Sequence, residues 1–234
     1  MPKPISNKLA KLFSPWDMHK IKWRDCQRCD LCKGRNHVVL LKGVIPASVL
    51  MLGEAPGQSE DVIGQPFVGP AGRLLHKIIE RAVAANEGEP TFAYSNLIAC
   101  LPMQQGEKAA QPPKASIEAC APRVVELVAL TKPKLIVCVG ELAYKWLPKI
   151  LQEPKYASHH PSPESQTART GLSKEASPKS KAVQRGNPVA KVSQLYPKII
   201  TILHPAAILR SEQIQQSLAI KRCIITLAEA FGEL

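Results

Sequence analysis

Residues 53–72 read Gly53-Glu-Ala-Pro-Gly-Gln-Ser-Glu-Asp-Val-Ile-Gly-Gln-Pro-Phe-Val-Gly-Pro-Ala-Gly72. The preceding run, Ser48-Val-Leu-Met-Leu52, is short and apolar, as a buried strand is. The following run, Arg73 to Ala85, repeats apolar residues at helical spacing. A strand therefore ends in a loop of five glycines and three prolines before a helix begins. Connections of this kind usually take about 2–6 residues, so the extra length points to a binding loop. Glycine lets backbone approach a ligand, and α/β sheets bind ligands at the C-terminal ends of their strands. The loop offers the acids Glu54, Glu60 and Asp61 and one aromatic face, Phe67.

The rest of the chain repeats the strand–helix alternation. Val38–Leu41 and Ser48–Leu52 read as the first strands, Thr91–Leu97 as the next, then Leu135–Val139 and Lys198–Leu203. Helical periodicity covers Lys114–Leu130, Glu141–Ile150 and Glu212–Phe231. This order predicts an α/β fold, a single three-layer α/β/α domain around a central, mainly parallel sheet. Residues 1–25, with Trp16 and Trp23, read as an N-terminal helical arm packed on the domain of residues 26–234. Residues 154–191 are rich in proline, serine and basic residues and poor in apolar ones. They read as a basic insertion with little to fold around.

Lys and Arg number 31 against 19 Asp and Glu, a net charge of +12. Solubility needs a magnitude of only about 2–8 in a small domain, so the excess favours a polyanion, nucleic acid before anionic membrane. No segment reaches the roughly 18 uninterrupted apolar residues of a membrane span, and the N-terminus lacks a signal peptide's apolar run. The cytoplasm and a monomeric state are expected. Seven cysteines without a secretion signal argue against a disulfide framework. Cys26-Gln-Arg-Cys29-Asp-Leu-Cys32 holds two overlapping C-x2-C pairs, and Cys100 and Cys120 follow far downstream. Such a set can enclose zinc or an iron–sulfur cluster, and spacing admits both. Cys138 lies in an apolar strand and Cys223 in a helix, where core packing accounts for them.

Four features in chain order resemble the uracil-DNA glycosylase superfamily, and within it the iron–sulfur branch called family 4. They are the cysteines, the loop of residues 53–72, Tyr94-Ser-Asn96 at a strand end, and His204-Pro-Ala-Ala-Ile-Leu-Arg210. The resemblance covers about residues 26–150 and 185–230. It implies a [4Fe–4S] cluster on Cys26, Cys29, Cys100 and Cys120, with Cys32 spare or standing in for Cys26, and zinc as the alternative. It implies a uracil pocket of Glu54, Ala55, Pro56, Glu60, Phe67, Asn96 and His204. In it Glu54 and His204 are catalytic, Phe67 stacks on the base and Asn96 reads its edge. Glu60 would crowd the C5 edge, while Asp61 caps its loop. Ile208, Leu209 and Arg210 would contact DNA, the apolar pair as a wedge and the arginine on phosphate.

The implied activity is monofunctional hydrolysis of uracil from DNA in base-excision repair. A glycosylase of the same fold for a damaged or hypermodified pyrimidine is the alternative. A catalytically inactive, cluster-containing DNA-binding protein is the second, and the joint presence of Glu54, Asn96 and His204 argues against it. Two departures stand out. Family members usually carry basic residues beside the third cysteine, where this chain has Ala99 and Leu101, and their connection is short where this chain has the basic insertion.

Overall fold

The computed structural model describes residues 13–102, 111–157 and 197–234. Its sheet has five strands: β1 (Lys42–Gly43), β2 (Val49–Gly53), β3 (Phe92–Asn96), β4 (Leu135–Val139) and β5 (Lys198–Ile202). Their spatial order is β1-β3-β2-β4-β5, with only β1 antiparallel to its neighbour. All residues of β2 and β4 are buried, as expected for central parallel strands covered on both faces.

Because side chains alternate across a strand, each apolar run feeds two cores. Leu50, Leu52, Ile136 and Cys138 face one side, where they pack with Leu127 of α4 (Lys114–Thr131) and Leu147 of α5 (Glu141–Gln152). Val49, Met51, Val137 and Val139 face the other, against Leu75 and Ile79 of α3 (Pro70–Val83) and Leu227 and Phe231 of α8 (Gln213–Phe231). Each such buried side chain contributes about 1.5–3 kcal/mol. This is the three-layer α/β/α arrangement expected from the sequence.

Three local expectations change. Val38–Leu41 is not a strand. Val39 N–H bonds to Ala99 O, so the segment runs extended beside the chain that leaves β3, and only Lys42–Gly43 pairs with the sheet. The loop after β2 contains a short helix, α2 (Gln58–Ile63), ended by Gly64 at φ 77°. The segment holding Ile208 and Leu209, expected as loop before the last helix, instead contains a short helix, α7 (Pro205–Leu209), behind the N-cap His204. Cys138 and Cys223 are buried in the core.

At the N-terminus, Ser14 and Asp17 form a capping box that starts α1 (Pro15–Trp23). Glu126 of α4 accepts from His19, Lys22 and the Trp23 indole, which docks α1 on the domain. Of the basic insertion, only its start is described, as α6 (Pro154–Ala157). The remainder lies outside the described residues. Among those described, no helix is long and apolar enough to cross a membrane.

Candidate active site

Strand register lines up the functional side chains before any loop is considered. Gly53 pairs with Asn96 and Val139 with Ile202. The chain therefore emerges at one edge of the sheet as Asn96, Glu54, Gly140 and His204, from β3, β2, β4 and β5 in that order. Adjacent strands lie about 4.8 Å apart, so this row spans the width of a flat ring and its sugar. A cavity of about 340 Å³ opens there, within the range of about 300–1,000 Å³ usual for ligand pockets. Glu54, Ala55, Pro56, Glu60, Phe67, Asn96, His204 and Arg210 all line it. The structure thus brings together the residues expected to bind uracil.

Glycines make the convergence possible. At Gly53 a Cβ would collide with Asn96 Oδ1 and come within 2.8 Å of Phe67 Cζ. Gly140 adopts φ 106°, and a Cβ there would run into Glu54 Oε1 and lie 3.3 Å from His204 Cδ2. Both positions require the missing side chain. Gly140 was not among the residues singled out from sequence, although a glycine directly after an apolar strand is a visible signal for one.

Glu60 lines the cavity and also organises the loop. Its carboxylate accepts from the backbone N–H groups of Gly57 (3.1 Å), Val68 (2.9 Å) and Gly69 (2.6 Å). It folds the loop around itself and shapes the cavity wall. Asp61 is buried, and its carboxylate accepts from Asn36 N (3.0 Å), Asn36 Nδ2 (2.7 Å) and His37 N (3.3 Å). It stitches α2 to the segment after the cysteine turn instead of capping its own loop. Phe67 sits at φ 55°, an unusual conformation for a bulky residue, with its ring edge-on to Tyr94 at 6.1 Å.

His204 Nδ1 accepts the Ala206 N–H at 3.2 Å. In neutral imidazole one nitrogen donates and the other accepts, so Nε2 carries the proton. Burial lowers the His204 pKa, the Arg210 cation lowers it further, and Glu60 opposes them. The neutral Nε2–H donor is therefore the resting form at neutral pH. Burial raises the Glu54 pKa, and Glu141 adds to this, while the Leu142 N–H at the start of α5 opposes it. Asn96 is 3 % exposed, and its backbone oxygen is held by Arg123.

Beyond the cavity, the expected wedge divides. Ile208 is 2 % exposed and belongs to the core beneath α8, so it cannot enter a base stack without leaving that core. Leu209, at 44 % exposed, is the one of the pair that reaches solvent.

Cys26, Cys29, Cys100 and Cys120 line one narrow gap between α1, the cysteine turn and α4, together with Trp23, Arg35 and Arg123. Cys32 does not line it, and sits in the 3-10 turn Asp30–Lys33. Arg35 donates to Cys100 Sγ at 3.5 Å. Burial raises the Cys100 pKa to about 11, with Arg35 opposing and Cys120 and Cys29 adding to the rise. Among the described residues, no three His, Cys, Asp or Glu side chains form a group that would hold a single metal ion. Arg123, missed in the sequence reading, is 1 % exposed. Its only signal was a lone cation inside the apolar run Ala119 to Val125.

A parallel α/β sheet with a loop-built cavity at its strand ends and a four-thiol gap alongside defines a ligand-binding α/β protein of restricted type. The family model of the uracil DNA glycosylase superfamily matches residues 42–228. This chain belongs to the uracil DNA glycosylase superfamily. It is 32% identical over 128 residues to the type-4 uracil-DNA glycosylase of Pyrobaculum aerophilum, covering 55% of this chain and 62% of that one. With the type-4 uracil-DNA glycosylase of Saccharolobus solfataricus it shares 34% identity over 124 residues, 53% of this chain and 55% of the other. With that of Sulfurisphaera tokodaii it shares 33% over 122 residues, 52% and 53% respectively. The matched segment thus spans less than two thirds of each of these relatives, and the superfamily match begins after Cys26 and Cys29.

Proposed function

We propose that this protein is a monofunctional uracil-DNA glycosylase of the iron–sulfur type, hydrolysing the N-glycosidic bond of deoxyuridine in DNA to leave an abasic site. The observation that carries this reading is the meeting of Asn96 and the His204 Nε2–H donor at one cavity in a member of this superfamily. A base must leave the stack to reach such a pocket. Phe67 offers it a flat face. The Asn96 amide offers a donor to uracil O4 and an acceptor to N3–H, a pattern that cytosine reverses. As the C1′–N1 bond breaks, its electron pair moves into the base and onto O2, where the His204 Nε2–H stabilises it. A preorganised donor of this kind is usually the largest catalytic contribution. Glu54, made more basic by burial, takes the proton of the water whose oxygen bonds to C1′. Leu209 and Arg210 face the DNA, and the net charge of +12 suits a polyanion.

Four thiols lining one gap are a ligand set for a [4Fe–4S] cluster, as the resemblance implies, with zinc the alternative. Cys26, Cys29, Cys100 and Cys120 would hold it. A cluster supplies a structural clasp between the cysteine turn and the chain that leaves β3.

The test is excision from duplexes carrying uracil, hypoxanthine or a modified cytosine, with strand cleavage scored before and after alkali. Uracil release with strand breaks only after alkali is expected. Release of a modified pyrimidine in place of uracil would move the assignment to the alternative substrate. Release of no base from any duplex would refute the enzyme.

A further inference from the structure

Arg123 is a fully charged side chain in the interior, since arginine does not deprotonate in proteins. Its Nη1 donates to Ser95 Oγ at 3.2 Å. Its Nη2 donates to the backbone oxygens of Asn96 and of Leu97, the latter at 3.1 Å. Among the described residues its Nε has no partner, and none of its acceptors is a carboxylate. A buried cation without a counter-charge is costly. Yet Arg123 also lines the cysteine gap, and Arg35 reaches Cys100 from another side. Besides Glu126, which is paired with His19 and Lys22, the gap that Arg123 lines is the place where thiolates would bring it a negative charge.

We propose that Arg123 is the positioning residue that joins the two sites: the negative charge of a thiolate-ligated cluster balances its guanidinium, and the guanidinium in turn fixes the end of β3 that presents Asn96. This rests on the iron–sulfur uracil-DNA glycosylase reading above. The geometry divides the residue's work in two. Its charge serves the gap, and its planar fork serves three acceptors on Ser95, Asn96 and Leu97. Lysine keeps the first and loses the second, because an ammonium cannot spread its donors over that arc. Methionine of similar length loses both.

The experiment compares wild type, Arg123→Lys and Arg123→Met for iron per chain, the reduction potential of the cluster, and single-turnover excision of uracil. Arg123→Lys should keep wild-type iron and potential but lose about 10²-fold in rate, the scale of a misplacement near 1 Å. Arg123→Met should bind substoichiometric iron, and the fraction retained should have a more negative potential, because a nearby cation no longer favours the added electron. A purely structural role predicts the opposite ranking, since an apolar replacement of a buried ion is often neutral or stabilising. Full iron, an unshifted potential and an undiminished rate in Arg123→Met overturn the proposal while leaving the function intact. A wild-type protein without iron, or without uracil excision, overturns the reading beneath it and the proposal with it, and shows itself before any variant is made.

Discussion

His204→Ala removes two interactions that can be counted separately. One is the Nε2–H donor of a residue that lines the cavity, which exists because Nδ1 is already occupied as the acceptor for Ala206 N–H. Loss of one donor that strengthens in the transition state lowers the rate by about 10²–10³, or about 2.7–4 kcal/mol. The other is the N-cap of α7, worth about 0.5–2 kcal/mol of stability. His204→Asn separates them, because the Asn carbonyl caps well but its amide is too short to replace the imidazole. Single-turnover excision under saturating enzyme, with DNA affinity and thermal melting measured alongside, should show both variants slowed by the same 10²–10³. Melting should be lowered for Ala and recovered for Asn, with affinity nearly unchanged in both. The wild-type rate should be flat at neutral pH and fall in acid as Glu54, whose pKa burial raises, becomes protonated and no longer takes the proton of the water. His204, its value depressed by burial and by Arg210, protonates only further into acid than an ordinary histidine and keeps its Nε2–H when it does. Either variant retaining the wild-type single-turnover rate would refute the role of Nε2–H.

Gly140→Ala should slow excision at least about 10-fold and cost about 1–3 kcal/mol, since φ 106° is strained for alanine and its Cβ displaces Glu54 and His204; melting and rate measured together check this. Burial raises the Glu126 pKa, but the hydrogen bonds from His19 and Lys22 prevail and hold it down at about 2. Its contribution is therefore complete above the unfolded value near 4.5 and is lost as pH falls through that value towards 2. Glu126→Gln should flatten this acid limb of the stability curve, on the order of 2 kcal/mol, and an unchanged limb in urea titrations would show that the docking of α1 is not ionic. Serine at Cys26, Cys29, Cys100 or Cys120 should abolish iron binding, whereas Cys32→Ser should leave iron and visible absorbance intact; a colourless, active wild type with one zinc per chain would overturn the cluster.

The layers were legible because burial on both faces leaves an apolar strand no alternative partner. Leu135–Val139 appears in the structure with the bounds expected from its sequence. Val38–Leu41 has the same apolar character but pairs with the chain leaving β3 through Val39 and Ala99 instead of entering the sheet. Its pattern reports burial, which sequence shows, and not the ladder, which depends on a distant partner. The cavity was legible through motifs at strand ends, because short spacings there survive folding unchanged. Glu60 lines the cavity, as expected, and has contacts that the sequence did not show. Three backbone N–H groups, two of them eight and nine residues downstream, claim its carboxylate, and nothing in the local sequence announces such a return. Ile208 and Leu209 are adjacent and both apolar, and only the docking of α8 decides which of them is inside.

Under the proposed function, the chain that leaves β3 is the route by which a cysteine site without a chemical step would govern excision. Ser95 to Leu101 is buried without interruption. Its backbone is tied outward at three consecutive residues: Leu97 N–H donates to Gly53 O, Ile98 N–H donates to Glu54 O, and Ala99 O accepts from Val39 N–H. Asn96 and Cys100 are the two ends of this tied segment, four residues apart, a span of at most about 14 Å. A close-packed interior has no slack to absorb a shift at one end. Moving Cys100 therefore moves Glu54 and Asn96 through the same hydrogen bonds that hold them, and a pocket whose donors must stand within about 0.5 Å of their task loses rate before it loses its fold.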